Sequence, residues 1–167
     1  MGLFTKDIET FNDLFNHQLE DIYYAERQIL KALPQMIAKA KNPQLKKAFE
    51  SHLKETEGQV ERLDQAFKLL GKRPKGAACP AIDGIIKEAN EVAGEIADQE
   101  VLDAALLASA QAVEHYEITR YGTLMAWGTR LGYSDLNKLF QQNLDEEKSA
   151  DEKLTDIATR SVNKQAA

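Results

Sequence analysis

Leu45-Lys46-Lys47-Ala48-Phe49-Glu50-Ser51-His52-Leu53-Lys54-Glu55 returns, 91 positions later and without a gap, as Leu136-Asn137-Lys138-Leu139-Phe140-Gln141-Gln142-Asn143-Leu144-Asp145-Glu146. The same offset lays Glu26 on Glu117, Leu33 on Leu124 and Leu63 on Leu154. Most shared positions are apolar or lysine and make a packing frame. The others are acids: Glu26 with Glu117 and Glu55 with Glu146. A helical hairpin duplicated together with its acids implies a symmetric, carboxylate-rich core, which is what a two-metal site in a four-helix bundle needs.

Outward from the repeat, punctuation is sparse. The four prolines lie at 34, 43, 74 and 80, and the segment after Pro80 is rich in Ala, Leu, Glu, Gln and Lys, so long helices are predicted. A first helix is predicted over Asp7–Ala40, with Phe11, Leu14, Gln18, Ile22, Glu26, Ile29, Leu33 and Ile37 on one stripe. Pro34 should kink or break it, because an interior proline removes a hydrogen bond and clashes with the preceding turn.

Asn42 then Pro43 reads as cap and first-turn proline of a second helix ending before Gly71. Residues 71–78 read as loop, 81–97 as a shorter amphipathic helix, 100–131 as a third long helix ending at Gly132, and 135–159 as a fourth, capped by Ser134. Residues 161–167 read as a polar tail. The units 7–70 and 100–160 are thus two copies of one hairpin within a single domain, 1–160, and the short helix between them is the crossover expected of an all-α, ferritin-like four-helix bundle.

At 167 residues the chain suits one domain with a sizeable core. Its single cysteine, Cys79, cannot close an intrachain disulfide. Residues 1–8 lack a signal-peptide pattern, and no uncharged apolar run approaches the length of a membrane span. A cytoplasmic protein is expected. The net charge of −6, from 21 basic and 27 acidic residues, offers no basic face to nucleic acid or to an anionic membrane.

Positions three, four and seven apart share a helix face, so an acid flanked at those spacings by apolar residues points into the bundle. Glu26 has Leu19, Ile22, Ile29 and Leu33 there; Glu117 has Ala110, Val113, Tyr121 and Leu124; Glu147 has Phe140, Leu144 and Leu154. Glu114 and Asp151 share those faces, and Glu146 and Glu147 both remain open as the inward acid of the fourth helix. Glu26 lies 16 residues before the turn at Asn42, and Gly58, close to Glu55, lies 16 after it; Glu117 and the Glu147 region stand alike about Tyr133. The acids therefore fall at similar depth.

Burying several ionised carboxylates demands cations, protons or arginines among them. Carboxylates with some imidazole suit ferrous iron or manganese, and His52, three residues before Glu55, is the nearest imidazole. The candidate metal set is Glu26, His52, Glu55, Glu114, Glu117 and Glu147, for two ions of iron or manganese or for none. Arg62, Arg120 and Lys153 are the candidates to neutralise the acids without metal. His17 and His115 read as surface residues, Tyr116 and Tyr121 as partners of the acids or as core packing, and Cys79 as a thiol beside a helix start.

The runs Ala25-Glu26-Arg27-Gln28, His52-Leu53-Lys54-Glu55-Thr56, Glu114-His115-Tyr116-Glu117-Ile118 with Tyr121-Gly122-Thr123-Leu124, and Glu146-Glu147-Lys148 resemble the YciE/YciF bacterial stress proteins, a branch of the ferritin-like superfamily, and the YciF side of it more closely. The resemblance covers roughly residues 8–160. It implies a cytoplasmic helical bundle, a homodimer, and a role in general or osmotic stress. Ferritin-like relatives such as rubrerythrin carry Glu-x-x-Glu on the third helix, which Glu114 and Glu117 match, and a histidine three residues after the acids of the second and fourth helices. Here Gly58, Ser149 and Ala150 stand at those positions. Ferroxidase- or peroxidase-like chemistry is therefore not assigned by the sequence. Two readings follow: a stress protein holding a metal pair for metal handling or peroxide protection, or a non-enzymatic dimeric structural protein with a degenerate site.

Overall fold

The computed structural model describes residues 8–167, and the expected helix start at Asp7 lies outside them. Every element is helical: α1 Phe11–Lys39, α2 Pro43–Leu69, α3 Pro80–Glu95, α4 Gln99–Leu131 and α5 Ser134–Ile157, followed by one wide π turn, Ala158–Val162, and α6, Asn163–Ala166.

Local chemistry sets the boundaries. Thr10 and Asp13 close a reciprocal capping box on α1, each side chain accepting from the other's backbone N–H at 3.0 and 3.1 Å. Asn42 Oδ1 accepts from Gln44 N and Leu45 N at 3.0 and 3.1 Å, and Pro43 occupies the first turn where its missing N–H costs nothing. Asp98 caps α4 in the same way. Gly132, at φ +77°, ends α4 in the left-handed conformation, and Tyr133 N returns to Gly128 O at 2.8 Å.

Three expectations are corrected. Pro34 does not break α1, which runs on to Lys39; the ring lies on the exposed side, where water can serve the carbonyl it orphans. Ser134 is the first residue of α5 rather than its cap, because the reversal through Gly132 is so short that Tyr133 already occupies the cap position. The segment 161–167 continues as helix to Ala166. Val162 is buried, and the Asn42 amide donates to Ser161 Oγ and Gln165 Oε1 at 3.0 and 2.9 Å, tying this end to the α1–α2 turn.

The two hairpins, α1–α2 and α4–α5, pack with α1 against α4 and α2 against α5, and α3 crosses over α1 and α4. Phe15, Leu19, Ile22, Leu45, Phe49, Leu63, Leu124 and Phe140 fill the interior between them. Burying side chains of this size contributes roughly 1.5–3 kcal/mol each. A buried carboxylate, Asp103 of α4, accepts from Lys41 N at 2.9 Å and Asn42 N at 2.7 Å and so fixes where α2 begins. Asp103→Ala leaves the buried Asn42 N–H and the partly buried Lys41 N–H without their acceptor and should lower unfolding stability by roughly 1–3 kcal/mol in a urea titration.

Candidate metal centre

The acids singled out by face analysis meet in the middle of the bundle. Glu26 of α1, Glu117 of α4 and Glu147 of α5 are 0 % exposed, Glu114 is 2 % and His52 of α2 is 6 %. One ligand atom from each of His52, Glu114, Glu117 and Glu147 lies within 4.8 Å of the others, so this group could hold a metal ion. His52 Nε2 stands 3.4 Å from Glu114 Oε1 and 3.9 Å from Glu147 Oε2. Glu26 lies beside this group, within hydrogen-bonding reach of the Glu117 carboxyl.

Glu55 is not gathered in. It is half-buried at the rim, with Oε2 3.6 Å from His52 Nδ1 and Oε1 3.6 Å from Lys153 Nζ. Glu146 turns the other way, toward Arg62 and Gln59, leaving Glu147 as the inward acid of α5. Asp151 accepts from Gln111 at 2.9 Å and faces His115 on the outside of the bundle.

The repeat is therefore broken where it matters. At the 91-residue offset, His52 corresponds to Asn143 and Glu147 to Thr56, all four fully or almost fully buried. The acids of the group come from the second hairpin, and the imidazole comes from the first.

Polar side chains orient the carboxylates. Tyr121 OH donates to Glu26 Oε1 and in turn accepts from Asn143 Nδ2 at 2.9 Å, while Gln59 Nε2 donates to Glu147 Oε1. Such outer contacts hold ligands in place before an ion arrives. Gln59 and Asn143 escaped the sequence reading, although the spacing that marked the acids marks them too: Asn143 lies three residues after Phe140, and Gln59 four before Leu63. Polar residues at core addresses, not only charged ones, carry the signal.

Electrostatics show what the site lacks. Burial, then repulsion from Glu147, raises the Glu26 carboxyl to about 8, and burial raises Glu114 to about 7. Burial and mutual repulsion hold Glu117 and Glu147 well above the ordinary carboxylate range. Burial pushes His52 down, but the surrounding carboxylates, Glu55 foremost, outweigh it and leave the imidazole above its usual value. Contact with His52, ahead of Lys153, lowers Glu55.

Among the described residues no arginine or lysine pairs with Glu26, Glu114, Glu117 or Glu147. Arg62 is held by Glu146 and Asn143, Arg120 by Gln18 and Asp21, and Lys153 by Glu55. Glu26 Oε2, Glu114 Oε2, both Glu117 oxygens, Glu147 Oε2 and both His52 nitrogens lack a hydrogen-bond partner. Interior polar atoms are rarely left so. Oxygen donors with one imidazole match a hard or borderline divalent cation.

A family profile described as a domain of unknown function, DUF892, matches residues 10–167. The chain is 46 % identical over 161 residues to protein YciF of Escherichia coli K12, covering 96 % of this chain and 97 % of that one. The crystal structure of that stress protein superposes with a TM-score of 0.89 over 94 % of this chain and 99 % of that one. YcfI of Rhodopseudomonas palustris, 60 % identical, superposes with a TM-score of 0.89 over 92 % and 98 %. A Xanthomonas campestris protein, 19 % identical with a TM-score of 0.75 over 93 % and 96 %, shares the fold.

Proposed function

The chain belongs to the DUF892 family, as a relative of the stress protein YciF, and from that premise we propose that it holds a pair of divalent iron or manganese ions in its core, for metal handling or peroxide protection under stress. One observation carries the reading: buried acids of α4 and α5 converge on His52, with Glu26 of α1 beside them, and no side-chain cation other than that imidazole reaches them among the described residues.

Glu114, Glu117, Glu147 and His52 would hold the ions, with Glu26 completing the oxygen donors on the Glu117 side. An iron or manganese pair, when bound, supplies Lewis-acid and electron-transfer chemistry toward peroxide or dioxygen. The chain's own part is to orient and to exclude. Tyr121 holds one Glu26 oxygen, Gln59 holds one Glu147 oxygen, and the apolar layers of Leu19, Ile22 and Leu124 keep bulk water out. Glu55, pulled toward solvent by Lys153 and toward the interior by His52, is placed to receive a cation at the rim and pass it inward.

Protein prepared without chelator and titrated with ferrous iron and with manganese should take up two ions per chain. Anomalous scattering from soaked crystals should place them between α4, α5 and His52. Gln59→Ala, which frees the Glu147 carboxylate without deleting a ligand, should weaken binding roughly 10- to 100-fold. Sub-stoichiometric metal that Glu117→Ala leaves unchanged would remove the reading.

A further inference from the structure

The centre has a second side, unlike the rim at Glu55. Between α1, α3 and α4 lies a cleft with a cavity volume of about 50 Å³, whose inner end is formed by His52 and Glu114. Its walls are Ile29 and Leu33 of α1, Ile86 and Ala93 of α3, and Leu106 and Val113 of α4. Its mouth, at Gln35, Lys39 and Asn90, is polar and exposed, and the half-buried Ser109 of α4 adds one hydroxyl to an otherwise apolar wall. At the opposite face, the opening between α2 and α5 has about 10 Å³ and is bordered by the Glu55–Lys153 pair. The two approaches to His52 differ in chemistry: one is charged, the other a hydrocarbon channel.

We propose that the α1–α3–α4 cleft is a binding cavity for dioxygen, admitting it to the His52–Glu114 edge of the core with the crossover helix α3 as its outer wall. This deepens the metal reading and rests on it for the use the molecule is put to, though not for its binding. Size decides first: a single water needs roughly 10–15 Å³ and a benzene-sized guest occupies a cavity of roughly 150 Å³, so ~50 Å³ suits a molecule of two or three heavy atoms. Polarity decides next. A cation crossing these walls would lose its hydration with almost no replacement, and hydrogen peroxide would have only the Ser109 hydroxyl for its two O–H donors until it met Glu114. Dioxygen has no donor to satisfy and partitions into apolar surroundings. The unpartnered Nε2 of His52 and Oε2 of Glu114 lie at the inner end, where such a molecule would meet the metal-binding group.

Metal-free protein tests the cavity directly. Crystals under xenon pressure should show one xenon site against Val113, Leu106 and Ile86. In solution under dioxygen, the methyl groups of Leu106, buried like Leu45 and Leu63, should relax faster than theirs. Ala89→Phe fills the cleft from α3 and should abolish both effects; Ala32→Phe does so from α1 and serves if the first variant folds poorly. Absence of xenon, or relaxation no greater than at Leu45 and Leu63, overturns the cavity whether or not metal binds. In protein loaded with ferrous iron, Ala89→Phe should slow oxidation at least tenfold without weakening iron binding. The reaction followed is two ferrous ions giving two electrons to one dioxygen, which leaves with two protons as hydrogen peroxide. Oxidation at an unchanged rate overturns the route while leaving the metal site standing.

Discussion

Loading the metal-free protein with ferrous iron or manganese at pH 7 should release protons, and the apparent affinity should climb steeply as pH rises from 6 to 8. Burial holds Glu114 at about 7 and Glu26 at about 8, with Glu117 and Glu147 also raised, so near neutral pH the core acids share protons between facing carboxyls. A metal ligand must be deprotonated, and each proton displaced makes the observed affinity rise tenfold per pH unit. Two protons displaced from these four acids would give roughly a hundredfold per unit, levelling off once the acids are ionised. Calorimetric titration in buffers of different ionisation enthalpy counts those protons directly. An affinity flat across this range would mean that the ions sit elsewhere, on ordinary surface carboxylates.

The second large effect is on the metal-free fold. Glu26, Glu114, Glu117 and Glu147 all have folded pKa values above their unfolded ones, so the folded state binds more protons and its stability falls as pH rises. The penalty is absent below the unfolded value near 4.5 and grows as pH climbs; the share of Glu114 and of Glu26 is complete once pH has passed their folded values at about 7 and 8. His52, also raised, acts in the same direction, losing its contribution as pH rises through its folded pKa. Glu55 acts oppositely, contributing above pH 4.5 and losing its contribution on the acid side.

The Glu114 shift alone corresponds to roughly 3 kcal/mol of differential stability. Metal-free protein should therefore melt at a lower temperature at pH 8 than at pH 5.5, and saturating metal should erase the difference. Glu117→Gln replaces an ionisable group by a neutral one of the same shape. At pH 8 it should raise metal-free stability by roughly 1–3 kcal/mol, a gain of several degrees in Tm. The same variant should lose most of the stabilisation that ferrous iron gives the parent. A variant less stable than the parent at pH 8 would show that Glu117 is already satisfied inside the protein.

Much of this was legible in the chain itself. Period and punctuation located the five main helices, because a residue's preference for helix and an Asn-Pro or Gly stop act over a few neighbours. Face spacing found Glu26, Glu114 and Glu117, because an acid set among apolar residues three, four and seven away shares their face, but it also picked Asp151, which turns to Gln111 and His115 on the outside. It failed at Glu55. The internal repeat pairs Glu55 with Glu146, and both lie at the edge of the bundle, one with Lys153 and the other with Arg62. A single residue turns a helix by ~100°, so pairing two copies says that positions correspond without saying that either faces inward.

The break allowed for at Pro34 and the polar tail at 161–167 were misread for a related reason. Whether a missing hydrogen bond or a polar sequence ends a helix depends on what packs beside it, and here exposure of Pro34 and burial of Val162 settled each case. Sequence alone determined the bundle, its duplicated hairpins and the presence of acids at core addresses, since these follow from local propensity and periodicity. Only the tertiary structure decided that Glu147 rather than Glu146 turns inward, that Arg62 and Lys153 are occupied at the rim, and that among the described residues His52 is the one side-chain cation to meet the cluster. Those outcomes depend on the rotation and depth of one helix against another, which packing of the whole interior sets and no single stretch of chain encodes.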